Sequence, residues 1–386
     1  MMTKKHILID DAVPYAKEIF GSLGKVTLMP GREIQRQHLK SVDALIIRSR
    51  TQITESLLKD TPVQFVGSTV VGLDHVDQDA LKRLGIHFYS AQGCNANSVA
   101  EYVITAIFAV AEKKSIHLFP ANKPMSLGII GVGHVGKSLE QKAQALGWTV
   151  LRNDPPRAEK EGDKGFVDLE TALQADIISV HTPLTKEGKY PTHHLINEQH
   201  LKKLQPHQIL INAARGGIID EKAWTEATTA ANIIDCWENE PHINFSLYQK
   251  ADIATPHIAG HSLEAKVAGS EMVYRQLCAF WSQPIHEAWR AHLPPQPHPI
   301  PFPKEGSPQD KLNQILQTAY PIWQDDHAIR AENIEGIIKA FEAYRRHYPI
   351  RREWPLHTID AGTVEKNEEN ASLLTLLQGL GFSTLR

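Results

Sequence analysis

The chain has 386 residues, 42% of them apolar and 22% charged, with a net charge of −3. This length favours two or three domains, and the balance is that of a soluble globular protein. A near-neutral charge without a long basic run speaks against nucleic acid and anionic membranes as partners, and no segment reaches the ~20 apolar residues of a membrane span. The apolar run Ile7-Leu8-Ile9 is too short for a signal peptide. Three cysteines, Cys94, Cys236 and Cys278, are odd in number and lack a C-x-x-C pair. They point to a reducing, cytoplasmic setting.

From the N-terminus to residue 96, short apolar runs alternate with amphipathic stretches. HILID, ALIIRS, QFVGS and HFYS read as buried parallel strands, and PYAKEIFGSL, TESLLKD and HVDQDALKRLG as the helices between them. Thr54 is a candidate N-cap and Gly85 a helix stop. VAEYVITAIFAVAEK then predicts a helix apolar nearly all round, capped by Asn97 or Ser98 and carrying the chain into a second domain.

That domain, residues 97–263, opens with the strand LGII and the turn Gly131, Gly133 and Gly136. His134 and Val135 stand at the head of the following helix. TVLRND, DIISVH, QILINA, NIIDCW and DIATP continue the strand pattern. Residues 264–286 form a helical return to the first domain. PPQPHPIPFP at 294–303 reads as an extended proline linker. Beyond it, within 287–386, KLNQILQTAYPIW, IEGIIKAFEAYRRHY and ASLLTLLQGLG have helical periodicity, and HTID is β-like. The expected class is therefore α/β, with two doubly wound parallel-sheet domains and a small α/β C-terminal domain.

The glycine turn follows a strand and opens an amphipathic helix, the context of a dinucleotide fingerprint. Gly131 permits the tight turn, Gly133 a close backbone approach to a pyrophosphate, and Gly136 close helix–strand packing. Asp154 ends the next strand, 18 residues beyond Gly136. Its carboxylate suits a ribose 2′-hydroxyl and repels a 2′-phosphate, which favours NAD, although Arg157 stands close enough to serve a 2′-phosphate.

Three further residues each follow a strand of this sheet. Arg215, in N-A-A-R-G-G, can hold a carboxylate bidentately. His257 can take a hydroxyl proton, and Glu240 can orient the imidazole, with Glu238 as its rival. A cation, a carboxylate and an imidazole beside a nicotinamide are the parts needed to oxidise a 2-hydroxy acid. The spacing of His257 and His261 resembles a zinc-binding helix, but Pro256 and the intervening Ile-Ala-Gly break that pattern, and no metal is expected.

With these motifs the chain resembles the D-2-hydroxyacid dehydrogenases. GCNANSVAEYV, GIIGVGHVGKSL, NDPPRA, INAARGGIID and HIAGHSLEAK carry the resemblance, and RREW at 351–354 marks a branch with a C-terminal appendage. The resemblance implies a flavodoxin-like substrate domain (1–96 and 264–286), a Rossmann NAD domain and a C-terminal domain that builds a homodimer. It implies NAD as cofactor and a phosphorylated 2-hydroxy acid as substrate. Asp154, Thr182, Asp235 and Gly260 are placed at NAD, and Ser49, the loop from Val70 to Gly72, and His261 at the substrate. Position 261 is His where the family commonly has Tyr, and position 70 is Val where Thr is common. Arg48, Arg50, Arg351 and Arg352 are the candidate cations for the substrate phosphate. Dehydrogenation of another 2-hydroxy acid, or a non-catalytic NAD-sensing scaffold, are the competing readings.

Overall fold

The structure is a computed structural model that describes residues 5–162, 164–330, 333–362, 365 and 367–385. The chain forms two compact units, Met1–Asn95 with Leu263–Pro295, and Ala96–Ser262 with Gln296–Arg386.

In the first unit, β1 (His6–Asp10), β2 (Lys25–Met29), β3 (Ala44–Ile47), β4 (Phe65–Ser68) and β5 (His87–Ser90) form a parallel sheet in the order β2-β1-β3-β4-β5. This is the doubly wound, flavodoxin-like order. Every residue of β3 and β4 is buried, as continuous apolar strands covered on both faces require. The Thr54 hydroxyl accepts the Leu57 N–H, and Gly85 adopts φ +67 after the helix Gln78–Arg83. Helix Leu263–Phe280 returns and buries Val273, Tyr274, Leu277 and Cys278 in this unit's core. Trp289 and Leu293 join the same core, so residues 287–295 belong here and not with the C-terminal stretch to which the sequence boundary assigned them.

The second unit begins with helix Ala96–Lys114, buried continuously from Ser98 to Ala111. Neither expected cap is used as one. The Asn97 amide donates to Glu101 and Glu353, and the Ser98 hydroxyl donates to the Ala259 carbonyl. Strands β6 (Ser126–Ile130), β7 (Thr149–Asn153), β8 (Ile177–Val180), β9 (Ile209–Asn212), β10 (Ala231–Ile234) and β11 (Ile253–Ala254) make a parallel sheet in the order β11-β10-β9-β8-β6-β7. A parallel bridge from Arg152 to Phe166 extends it beyond β7. The strand order reverses between β6 and β8, and open α/β sheets bind ligands at the carboxyl ends of such a switch point.

The C-terminal stretch supplies a second, parallel sheet of β12 (Ile300–Pro301), β13 (Thr358–Asp360) and β14 (Ser383–Leu385). Its helices are Pro308–Ala319, Ile322–Ile329, Ile334–Arg346 and Glu368–Leu380. The proline stretch is thus more than a spacer. Ile300 and Phe302 are buried, and Pro301 is tolerated because β12 is an edge strand. Residues 296–386 do not stand as a separate body, in contrast to the third domain read from the sequence. Leu312, Ile315, Trp354 and Leu377 share one core with Val103, Leu127 and Ile129, while Ile329, Ile337 and Phe341 share another with Trp224 and Trp237. Apolar periodicity shows that these helices bury a face, but not against what.

Candidate active site

The glycine turn sits at the end of β6. Gly131 has φ +92, and a Cβ there would lie 2.7 Å from the Thr182 nitrogen. A Cβ on Gly136 would lie 2.3 Å from the Gly131 carbonyl oxygen, so this glycine lets helix His134–Ala145 close onto the strand. A Cβ on Gly133 would meet nothing within 4 Å. Gly133 and His134 are exposed and Val135 is half-buried. Two glycines therefore serve internal packing, and the third leaves open space at a helix N-terminus, where a pyrophosphate fits.

Asp154 follows β7. It caps helix Pro155–Glu161 by accepting from Arg157 N–H, and its other oxygen accepts from Val132 N–H at 2.8 Å, which ties it to the glycine turn. Arg157 is turned away from service to a 2′-phosphate. It is paired with Glu161 at 2.7 Å, and Nη1 donates to the Val132 carbonyl. Thr182 follows β8 and places a buried hydroxyl without a hydrogen-bond partner beside Gly131. An orphaned donor and an uncovered turn on one sheet edge suit a dinucleotide.

Farther along the same edge, β9 leads to Arg215. A Cβ on Gly216 would lie 2.0 Å from the Trp237 carbonyl, so glycine there lets the arginine loop press against Trp237 and Glu238. Arg215 is half-buried, and Nη1 donates to the Ala214 carbonyl at 2.7 Å. Glu240 Oε1 accepts from Trp237 N–H at 2.8 Å, and Oε2 lies 2.9 Å from His257 Nδ1. Glu238 is instead 3.8 Å from His194, which settles the geometric rivalry in favour of Glu240 as the partner of His257. Burial pushes the Glu240 carboxyl up, but the charge and hydrogen bond of His257, then Arg345 and Trp237 N–H, outweigh it and hold it below the usual carboxylate range. His257 adopts φ +55, a backbone conformation uncommon outside glycine.

The His257 loop is fixed from beneath by Asp235. This carboxylate is 1% exposed and accepts from the Thr255 hydroxyl and the N–H groups of Ile258 and Ala259. Burial raises the Asp235 carboxyl, and the His257 charge and these donors offset that in part. Both oxygens are already engaged in holding the loop, a task the resemblance to NAD-binding relatives does not convey. Gly260 is half-buried in the same loop, and His261 meets the Tyr348 ring edge-on at 5.6 Å.

Arg215, Glu240 and His257 line one cleft of about 300 Å³. Lys186, His193, Trp237 and Asn239 line it too, and no catalytic or cofactor motif in the sequence marks them. His193 and His194 stack at 4.0 Å with ring planes 19° apart, and a ligand atom of each lies within 4.8 Å of a Glu238 carboxylate oxygen. Cys236 lies near Glu240 and His257, and burial pushes its thiol well up.

The remaining candidates fall elsewhere. Arg48 and Ser49 follow β3 and Val70 follows β4, all three in the first unit. Arg48 is half-buried and donates to the Ala12 carbonyl, while Ser49 is exposed. Arg351 departs from the expected role. It is buried, not open to a substrate phosphate, and its guanidinium donates to Ser98 and to the Ala259 carbonyl while stacking on Tyr320 at 4.3 Å. Arg352 beside it is half-buried.

A nucleotide-type sheet with arginine, glutamate and histidine gathered at its carboxyl edge is the constellation of an NAD-dependent 2-hydroxyacid dehydrogenase. Residues 108–259 match the NAD-binding domain of the D-isomer specific 2-hydroxyacid dehydrogenases, and residues 294–381 match a domain of unknown function. An NAD-bound 3-phosphoglycerate dehydrogenase from Entamoeba histolytica superposes with a TM-score of 0.59 at 25% identity, covering 72% of this chain and 96% of that one. An erythronate-4-phosphate dehydrogenase from Hydrogenovibrio crunogenus is 60% identical over all of both chains. One from Ruthia magnifica is 46% identical over 93% of this chain and 98% of its own. The chain belongs to the erythronate-4-phosphate dehydrogenase family. Among the described residues no helix is long and apolar enough to cross a membrane.

Proposed function

We propose that the chain oxidises C2 of 4-phospho-D-erythronate to the 2-oxo acid with NAD, a step in vitamin B6 synthesis. The observation that carries this reading is the Glu240–His257 pair at 2.9 Å in the cleft that also holds Arg215. Bound NAD supplies a hydride acceptor at nicotinamide C4. Arg215 holds the substrate carboxylate with its planar fork and polarises the carbonyl that forms at C2. Glu240 accepts from Nδ1 of His257, so that nitrogen carries the proton and Nε2 is left to accept the C2 hydroxyl proton. As His257 becomes cationic, Glu240 compensates its charge.

Lys186 and His193, which line the cleft, join Arg48 and Arg352 as candidate partners of the substrate phosphate. The homodimer is read onto the C-terminal stretch, where Ile334, Ile350 and Leu385 are exposed apolar side chains. Three cysteines in no disulfide, Cys236 and Cys278 of them buried, suit a reducing cytoplasm. The test is NADH formation by purified protein from 4-phospho-D-erythronate, set beside 3-phosphoglycerate and D-glycerate. A 2-oxo acid is added in parallel to reoxidise cofactor that does not leave. Preference for another acid rejects the substrate, and NAD binding without any turnover rejects the reaction.

A further inference from the structure

Helix Ile334–Arg346 lies in the stretch matched by the domain of unknown function, and it delivers a side chain to the catalytic pair. Asn333 caps its start by accepting from Gly336 N–H, and Ile337 and Phe341 bury one face in the core that holds Trp224 and Trp237. That burial fixes the rotation of the helix. Arg345, in the last turn, stands near the Phe341 ring at 5.8 Å, and its Nη1 reaches Glu240 Oε2 at 3.5 Å. At that distance the contact is an ion pair more than a directed hydrogen bond. The pair is 24% and 20% exposed, so water screens it only in part.

Glu240 Oε2 thus serves both a permanent guanidinium and the imidazole that takes up a proton in the reaction. We propose that Arg345 is a positioning residue of the catalytic pair, which steadies Glu240 against His257 and offsets part of the negative charge that Glu240 presents to the imidazole. The inference rests on His257 as the proton acceptor. Other charged or titratable groups face the pair. Arg215 lies across the cleft, Asp235 beneath the histidine loop and the Cys236 thiol beside them. Glu221 accepts from Glu238 N–H, and burial pushes its carboxyl up to about 8. Lys186, His193 and Glu238 complete the lining. Arg345 pairs with Glu240 itself, and it adds to the effects that hold that carboxyl low.

Without Arg345, the full charge of Glu240 favours the imidazolium and makes His257 slower to give up its proton. Oxidation needs the neutral imidazole, so the acid limb of its pH profile should move to higher pH. The test compares the full chain with Arg345→Met, which keeps an apolar stem without charge, and Arg345→Lys, which keeps the charge. Arg345→Gln replaces the Met variant if that one does not fold. Two quantities are read: kcat/KM for oxidation against pH, and the NMR titration midpoint of the His257 imidazole, identified by its loss in His257→Asn. In Arg345→Met both should rise by about half a unit or more. Arg345→Lys should stay within a few tenths of the parent, and NAD affinity should not change. An unmoved midpoint and limb in a folded, uncharged variant would overturn the proposal. So would Arg345→Lys behaving like Arg345→Met, because charge would then not be the cause. A midpoint that moves in a protein without turnover would reject the reaction and leave the wiring intact.

Discussion

Gly133 and Gly136 stand three residues apart in one turn, and alanine should have opposite consequences at the two. At 136 the added Cβ would lie 2.3 Å from the Gly131 oxygen and 3.2 Å from both the Gly131 carbonyl carbon and Ile129 Cγ2. An ordinary contact is about 3.4 Å or more, so the helix must retreat by roughly 1 Å from a strand in a close-packed core. Overpacking of this kind costs about 1–3 kcal/mol. In a unit of this size that lowers Tm by about 3–10 °C. At 133 the backbone has φ −74 and the Cβ enters open space, so the apo protein should melt within about 1 °C of the parent. That space is where the pyrophosphate approaches the helix N-terminus, and NAD affinity should fall about tenfold, or ~1.4 kcal/mol. Thermal melts with and without NAD, with calorimetric titration of NAD, measure both effects. Gly133→Ala binding NAD as tightly as the parent, or Gly136→Ala melting with the parent, would refute the division of roles.

Arg215→Lys keeps the charge but loses the planar fork; kcat/KM should fall about 100-fold or more while the NAD Kd stays put, and an unchanged kcat/KM would remove Arg215 from the chemistry. Arg351→Met leaves the buried acids Glu101 and Asp325 without this cation, and should cost about 3 kcal/mol in denaturant unfolding; a loss under 1 kcal/mol would show that Arg351 is not a strut. Burial holds His181 down to about pKa 3, so it stays neutral when folded yet takes a proton below pH ~6.5 when unfolded. Stability should therefore drain away as pH falls from about 6.5 toward 3, and His181→Gln should flatten that slope in melts taken across the range. An equally steep slope in the variant would assign the acid sensitivity to other groups.

Much of this fold was legible because parallel strands in α/β layers are continuous apolar runs. ALII and QFVGS announce themselves for that reason. KVTLM at β2 does not, because it is an edge strand and mostly half-buried, and STL at β14 is a short edge with exposed ends. Arg215, Glu240 and His257 were visible because each follows a strand of a recognisable sheet. Arg345 was not. It lies 105 residues beyond Glu240, in a basic last turn that any solvated helix could carry. Arg351 misled for a related reason. A charge in RREW reads as a cation for the substrate phosphate, and only the structure shows the Ser98 hydroxyl and Ala259 carbonyl that hold it inside.

Arg351 clasps Ser98 and Ala259, while Glu353 accepts from Ser262 and Asn97. Heredity inherits a constraint from this clasp. The appended stretch is a poor cassette for recombination, since a crossover between 262 and 351 would part a lock from its key. A grafted tail would have to bring partners for positions 97, 98, 259 and 262 with it. The catalytic loop and the tail are therefore expected to travel through descent as one linked trait, and chimaeras between relatives should tolerate exchange of the first unit's surface loops far better than exchange of the tail.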